Sequence, residues 1–221
     1  MTALAGRHVV VSGAGTAQGL AVARAFVEAG AAVTLPGGED AARALDSTRA
    51  RAVALGESSD AAWNGVLAGA EAVFGVPDTV VLGLPFERRV VALAEMMPER
   101  FHDGLETGFV APALALGAAV RFFRQRRAAA SIIVVCGDDA RTGRAGAAVA
   151  AASSGGLLLF AKTAALECAG RKDGLRVNCL LAGEPVETDA LVRGALLLAS
   201  PAAGHLNGAA VPAVATSSTV K

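Results

Sequence analysis

Short apolar runs of strand length recur along this chain, separated by stretches long enough for helices. The runs are His8–Ser12 (HVVVS), Ala32–Leu35, Ala50–Leu55, Thr79–Leu84 (TVVLGL), Ser131–Cys136 (SIIVVC), Leu175–Leu181 (LRVNCLL) and a short last one, Ala209–Val214. They are continuous and do not alternate apolar with polar. Strands buried on both faces read that way, as in a parallel sheet covered by helices. The intervening stretches predict helices over Ala17–Ala29, Ser59–Phe74, Pro98 to the basic cluster Arg121–Arg127, Ala145–Ala169 and Leu191–Ala199. Ser59 or Asp60 is a suitable cap, and Pro98 suits a first helical turn. Cations at Arg121–Arg127 complement the negative end of a helix dipole. Strand–helix alternation with right-handed crossovers predicts an α/β fold, a Rossmann-like doubly wound parallel sheet of about seven strands with helices on both faces. No linker, repeat or low-complexity segment divides it, so residues 1–212 are expected to form one domain, followed by a loose tail, 213–221.

Composition narrows the function classes. The 221 residues carry 20 basic and 20 acidic side chains, a net charge of zero. No general basic field is available to hold nucleic acid or an acidic membrane. Mean hydropathy is high, +0.49, but the most apolar stretches, Val110–Val120 and Ala145–Leu159, are rich in Ala and Gly and read as buried helices rather than membrane spans. The N-terminus has no basic segment before a long apolar run, so no signal peptide is expected. Three cysteines without a CxxC pattern fit a reducing cytoplasm. His8, His102 and His205 have no metal-ligand spacing, so no metal site is expected, and each reads as a surface or capping residue. Trp63 reads as a helix packing residue. The chain has no tyrosine, which excludes any tyrosyl acid or base.

The first predicted strand runs into Ser12-Gly13-Ala14-Gly15-Thr16-Ala17-Gln18-Gly19 and then a helix. Glycines in this context allow a tight turn and close approach of a pyrophosphate to backbone amides at the helix N-terminus. Ser12, Gly13, Gly15, Thr16 and Gly19 are therefore the candidate residues for holding NAD or NADP. The alternative is a turn kept for strand–helix packing. An acid that would bind ribose hydroxyls, or an arginine for a 2′-phosphate, belongs at the end of the second strand. Leu35, Pro36, Gly37 and Gly38 stand there, and Glu39 and Asp40 come late enough to cap a short helix instead.

These residues resemble the classical short-chain dehydrogenase/reductase (SDR) family over nearly the whole chain. Ser12-Gly13-x-x-x-Ala17-x-Gly19 is similar to TGxxxGxG, with alanine for the middle glycine. Phe74–Val81 resembles the family's FGxxDxLV, but Leu82-Gly83-Leu84-Pro85 replaces the NNAG that should follow. Leu175-Arg176-Val177-Asn178-Cys179, Ala182-Gly183 and Thr188 resemble IRVNxxxPG…T, and Ala199-Ser200-Pro201 with Asn207-Gly208 resembles the closing elements. The resemblance implies a catalytic Asn, Ser, Tyr and Lys. Ser154–Lys162 is similar to the family's KaaLxxFxK, which places Ser154 at the lysine and Ala150 at the tyrosine; Gly137 then falls at the serine and Gly108 at the asparagine. A rival register places Lys162 at the lysine and Leu158 at the tyrosine, with no tyrosine either way. The family's substrate-covering loop is also nearly deleted, because Thr188 leads at once into Asp189–Ala199.

Other chemistry is open to residues predicted beyond the strand ends: Glu87 and Arg88, Cys136, Asp138 and Asp139, and Glu184. Asp138 and Asp139 could form an acid/base pair, or simply turn the chain or cap a helix. Cys136, Cys168 and Cys179 read as buried thiols, and Lys162 as a solvated helix lysine. The resemblance assigns the helices at about 98–127 and 144–170 to a dimer bundle, and their Ala, Gly and Leu content suits close helix approach. The leading expectation is a non-catalytic SDR-fold subunit that forms a homo- or hetero-oligomer with an SDR-fold partner, with no nucleic acid and no membrane. The second is a divergent NAD(P)-dependent oxidoreductase with non-standard catalytic residues. A third is a sensor holding a nucleotide or acyl ligand without turnover.

Overall fold

The computed structural model describes residues 4–57, 59–83 and 90–214. The strands are β1 (His8–Val11), β2 (Ala32–Pro36), β3 (Ala50–Val53), β4 (Thr79–Leu82), β5 (Ala130–Gly137), β6 (Leu175–Ala182) and β7 (Ala210–Ala213). They form one seven-stranded sheet in the order β3-β2-β1-β4-β5-β6-β7. Every pairing is parallel, with Val10 beside Val80, Val80 beside Ile132 and Ile133 beside Asn178. The chain order reverses between β1 and β4, which opens a crevice beyond their carboxyl ends.

Strand pleating divides the apolar runs between two cores. Val9, Val11, Val33 and Leu35 face α1 (Ala17–Glu28) and α8 (Thr188–Ala199), packing with Phe26, Leu191 and Leu198. Val10, Val80, Ile132 and Val134 face α3 (Asp60–Phe74), α5 (Ala111–Arg126) and α7 (Ala148–Arg171), packing with Leu67, Leu116, Phe123 and Leu157. All residues of β1, β4 and β5 are buried, as continuous apolar runs require. Ser59 caps α3, its Oγ accepting from the Ala62 amide at 3.1 Å.

Several expectations are corrected. The long helix from Pro98 is three consecutive pieces: α4 (Pro98–Leu105), a π-helical segment (Glu106–Val110) and α5. Glu39 and Asp40 do begin a short helix, as read, α2 (Glu39–Leu45), whereas the short α6 (Asp139–Thr142) after β5 was not anticipated. α8 begins one turn earlier than Leu191. The apolar helices are not buried throughout. Only 33% of the most apolar stretch of each is enclosed, because the sheet covers one face of a helix and leaves the other to solvent. His8 is buried, not a surface residue. Its Nδ1 lies 2.8 Å from the Gly75 carbonyl and must donate to it, so in the neutral ring Nε2 accepts from the Thr34 hydroxyl at 2.8 Å. Burial holds its pKa below the usual histidine value.

The basic end of α5 does more than face a dipole. Arg126 Nε spans both carboxylate oxygens of Glu71 on α3 at 2.9 and 2.8 Å, and its guanidinium lies 3.6 Å from the Phe122 ring centroid. The guanidinium holds the Glu71 carboxyl below the ordinary carboxylate range. Between β6 and α8 only residues 183–187 intervene, so the connection is short, as expected. Leu84, Pro85, Glu87 and Arg88 lie outside the described residues, as does the tail from 215 onward.

Candidate functional site

A cleft of about 840 Å³ occupies the crevice at the β1/β4 reversal. Its two ends are built differently.

At one end, β1 delivers Ser12, Gly13 and Gly15 to the cleft wall. Thr16 caps α1, its Oγ1 accepting from the Gly19 amide at 3.1 Å and donating to the Gly13 carbonyl at 2.9 Å. Gly19 is required by packing, since a Cβ there would overlap the Gly13 carbonyl oxygen. Gly15 is different. A Cβ there would meet nothing within 4 Å, so the space over the turn is open. Ser12 is only 7% exposed, and its hydroxyl has no hydrogen-bond partner among the described residues. A buried, unpartnered hydroxyl beside an open glycine turn and a helix N-terminus fits an anionic phosphate.

The neighbouring wall, from β2 and β3, is apolar. Pro36, Gly37 and Leu55 line it, with the Gly37 Cβ position 3.5 Å from the Leu55 side chain. Glu39 is exposed on α2 and does not line the cleft; Asp40 is paired with Arg43. Among the described residues, no charged group lines this end where a ribose hydroxyl or a 2′-phosphate would lie. The phosphate part of NAD or NADP therefore fits these residues, and the ribose part finds no recognising side chain among the described ones.

At the other end, α7 and the helices after Pro98 bring together the four positions that the motif alignment singles out. Gly108, Ala150 and Ser154 line the cleft. Ser154 Oγ accepts from the Gly137 amide at 3.0 Å, so two of the four positions are tied to each other. Ser153 Oγ donates to the Gly104 carbonyl at 3.1 Å. A Cβ at Gly108 would stand 2.9 Å from the Ser153 Cβ, so the π-helical segment lies too close to α7 for any larger residue. Leu158 and Lys162, the residues of the rival register, do not line the cleft, and Lys162 is exposed.

The remaining candidates disperse. Asp138 and Asp139 do not line the cleft. Asp138 precedes α6, and Asp139 is buried with Arg144 at 4.0 Å, while Arg144 also lies 3.6 Å from Glu184. Cys136 lines the cleft, and its thiol bonds the buried Cys179. That hydrogen bond favours the Cys179 thiolate and lowers its pKa against the opposing effect of burial, with the Lys162 charge acting in the same sense. Burial instead pushes the Cys168 thiol up. None of the three forms a disulfide. His102 is exposed on α4, its ring bonded to the Pro98 carbonyl at 2.7 Å, and His205 is exposed. No cluster of three or more metal-ligating side chains occurs among the described residues.

Sequence reasoning missed Arg100, Asp103 and Thr107, which also line the cleft. They recur at i, i+3 and i+7 from Pro98 onward, a helical stripe visible in the sequence once the helix is accepted. Arg100 and Asp103 are the charged residues among the described lining groups. Trp63 is both a packing residue, 4% exposed, and part of the cleft wall.

The comparisons with known proteins agree with this geometry. A family model described as short chain dehydrogenase matches residues 7–193. A short chain dehydrogenase from Mycobacterium smegmatis superposes with a TM-score of 0.87 at 21% identity, over 98% of this chain and 95% of that one. A protein assigned as a short-chain alcohol dehydrogenase from Sinorhizobium meliloti 1021 superposes with a TM-score of 0.84 at 23% identity, over 96% of each chain. No curated protein matches the sequence significantly. With the family model spanning most of the chain and the sheet order complete, the chain belongs to the short-chain dehydrogenase family.

Proposed function

We propose that this chain is a non-catalytic SDR-fold subunit that pairs with another SDR-fold subunit through α4–α5 and α7. The observation that carries the reading is the apolar face these helices leave exposed. Leu159 and Leu166 lie two turns apart on α7 and are 66% and 75% exposed, with Phe160 at 42% beside them and Leu114 on α5 at 37%. Large apolar groups left exposed along one helix face, here interleaved with Lys162 and Thr163, support a protein interface. The loss of chemistry supports the same reading. No tyrosine exists to act as acid or base. Gly108, Gly137, Ala150 and Ser154 supply neither a general acid nor a cation at the α7 end, and residues 183–187 leave no length for a covering lid. Three buried thiols without a disulfide suit a reducing compartment such as the cytoplasm.

Co-expression with an intact SDR encoded beside this chain tests the pairing. A stable heteromer of defined stoichiometry, or a homodimer of this chain alone, is expected from light scattering. A chain that stays monomeric and captures no such partner contradicts the proposal. One observation favours the divergent NAD(P)-dependent oxidoreductase instead: the cleft is intact and Asp103 lines it. In that reading Asp103 takes part in the chemistry. Turnover of NADH or NADPH that Asp103→Asn abolishes would decide for it.

A further inference from the structure

Cys136 and Cys179 stand on neighbouring strands and on the same face of the sheet. In the parallel pairing of β5 with β6, Val134 lies beside Cys179 and Cys136 beside Leu181. The two cysteines are therefore diagonal neighbours, offset by two residues. Both belong to the core under α7, and their thiols are hydrogen-bonded to each other. With strands about 4.8 Å apart and a rise of about 3.3 Å per residue, this diagonal sets their Cα atoms about 8 Å apart. A disulfide takes about 5.5 Å and stops near 7 Å, so the pair cannot close an S–S bond without moving the sheet. A bridging atom changes the sum. Two metal–thiolate bonds of about 2.3 Å each span roughly twice the S–S length of about 2 Å. Small side chains stand close by: Ala210 of β7 lies beside Cys179, and Ala161 of α7 packs in the same cluster. Cys136 lines the cleft, which supplies an entry path.

No group of three or more metal-ligating side chains occurs among the described residues. Zinc, which takes four ligands, and the hard cations, which take six or more oxygens, find no such site there. A soft monovalent cation is different, because Cu(I) prefers thiolate sulfur and accepts two ligands in a line. Binding exchanges two S–H protons, released to water, for one cation. The filled site then carries one negative charge, and the Lys162 ammonium, whose charge already acts on Cys179, offsets it.

We infer that Cys136 and Cys179 form a two-coordinate thiolate site for a soft monovalent cation, best matched by Cu(I), that is loaded through the cleft. The site ties β5 to β6 beneath α7. It needs neither a partner subunit nor hydride chemistry, so it can fail while the pairing proposal stands, and the reverse.

The test titrates the reduced full chain, kept free of oxygen, with Cu(I) held by bicinchoninate, following the chelator's colour. One equivalent per chain should transfer, with two protons released. Cys168→Ser should behave as the parent chain, because that thiol bonds Arg124 instead, at 3.6 Å. Cys136→Ala and Cys179→Ala should each weaken Cu(I) about a hundredfold or more. Should either variant fail to fold, the parent chain decides. Bound Cu(I) should raise its denaturation midpoint, and X-ray absorption should show two sulfur neighbours and no nitrogen or oxygen. The inference is overturned by no transfer from bicinchoninate, or by a nitrogen or oxygen neighbour on the bound copper. Transfer that survives loss of both cysteines, or a lowered midpoint, makes the metal an adventitious ion only and overturns it as well. So does a Cys136–Cys179 disulfide formed by diamide in the folded chain, since the thiols would then meet without a bridging atom.

Discussion

The glycine-turn end and the α7 end of the cleft share one crevice but are built on opposite rules. At the turn, groups stand open: nothing lies within 4 Å of a Cβ placed on Gly15, and the Ser12 hydroxyl has no partner among the described residues. At α7, small residues have been turned into contacts: Ser154 holds the Gly137 amide, Ser153 holds the Gly104 carbonyl, and Gly108 lets the helices meet. An SDR fold does not depend on its reacting groups. Small residues at the α7 end are tied into contacts along the cleft wall, while the turn is fixed by the strand–helix junction. Gly19 shows the constraint, because only glycine fits against the Gly13 carbonyl whether or not a ligand is bound.

The sharpest way to break this contrast is to add atoms at each end. Gly108→Asn drives a side chain into Ser153 and should cost about 3 kcal/mol by overpacking, read as a lower denaturation midpoint. If it costs nothing, the α7 end is open and the packing argument fails. Gly15→Ala, by contrast, should change stability by less than about 0.5 kcal/mol while weakening any NADH binding found by calorimetry, since its Cβ enters the phosphate space. Next in size is Ser154→Ala, which strands the Gly137 amide inside the protein. It should destabilise by about 2 kcal/mol, read as a lower denaturation midpoint.

Smaller is a pH effect remote from the cleft. The His8 pKa is lowered in the fold, so the unfolded chain binds its proton more readily. The contribution of His8 is fully present above the unfolded value, about 6.5, and is lost as pH falls below it. The slope it adds is at most about 1.4 kcal/mol per pH unit. His8→Gln should flatten that part of the stability–pH curve; an unchanged slope would show that other groups set it. Smallest in folding terms is the outer face of α7. Leu159→Lys with Leu166→Lys should leave protomer stability within about 0.5 kcal/mol but shift the chain to monomer in light scattering. An unchanged oligomer would remove this face from the interface.

Much of the fold was legible because parallel strands buried on both faces cannot hide their apolar runs. The strand positions, the α3 cap at Ser59 and the short connection after β6 all follow from residues in order. The helices were less legible. Alanine-rich sequence does not say which face is covered, so Val110–Val120 and Ala145–Leu159 read as buried although two thirds of the most apolar stretches are not. His8 was misread because its burial depends on Gly75 and Thr34, partners distant in sequence. Within the site, the glycine turn could be read from spacing alone. Arg100, Asp103 and Trp63 could not be placed, because only the tertiary approach of α3 and α4 to the strand ends brings them to the cleft. The Ser154–Gly137 bond was equally invisible, since it joins two residues that motif alignment knows only as absences.

The central claim is that the α7 end performs no hydride chemistry. The most direct test is to incubate the purified chain, alone and in complex with any captured subunit carrying an inactivated site, with NADH and NADPH and a panel of aldehydes and ketones, following nicotinamide absorbance. The account predicts no consumption above the protein-free rate. Consumption proportional to the concentration of this chain, and retained when the partner is inactive, would contradict it.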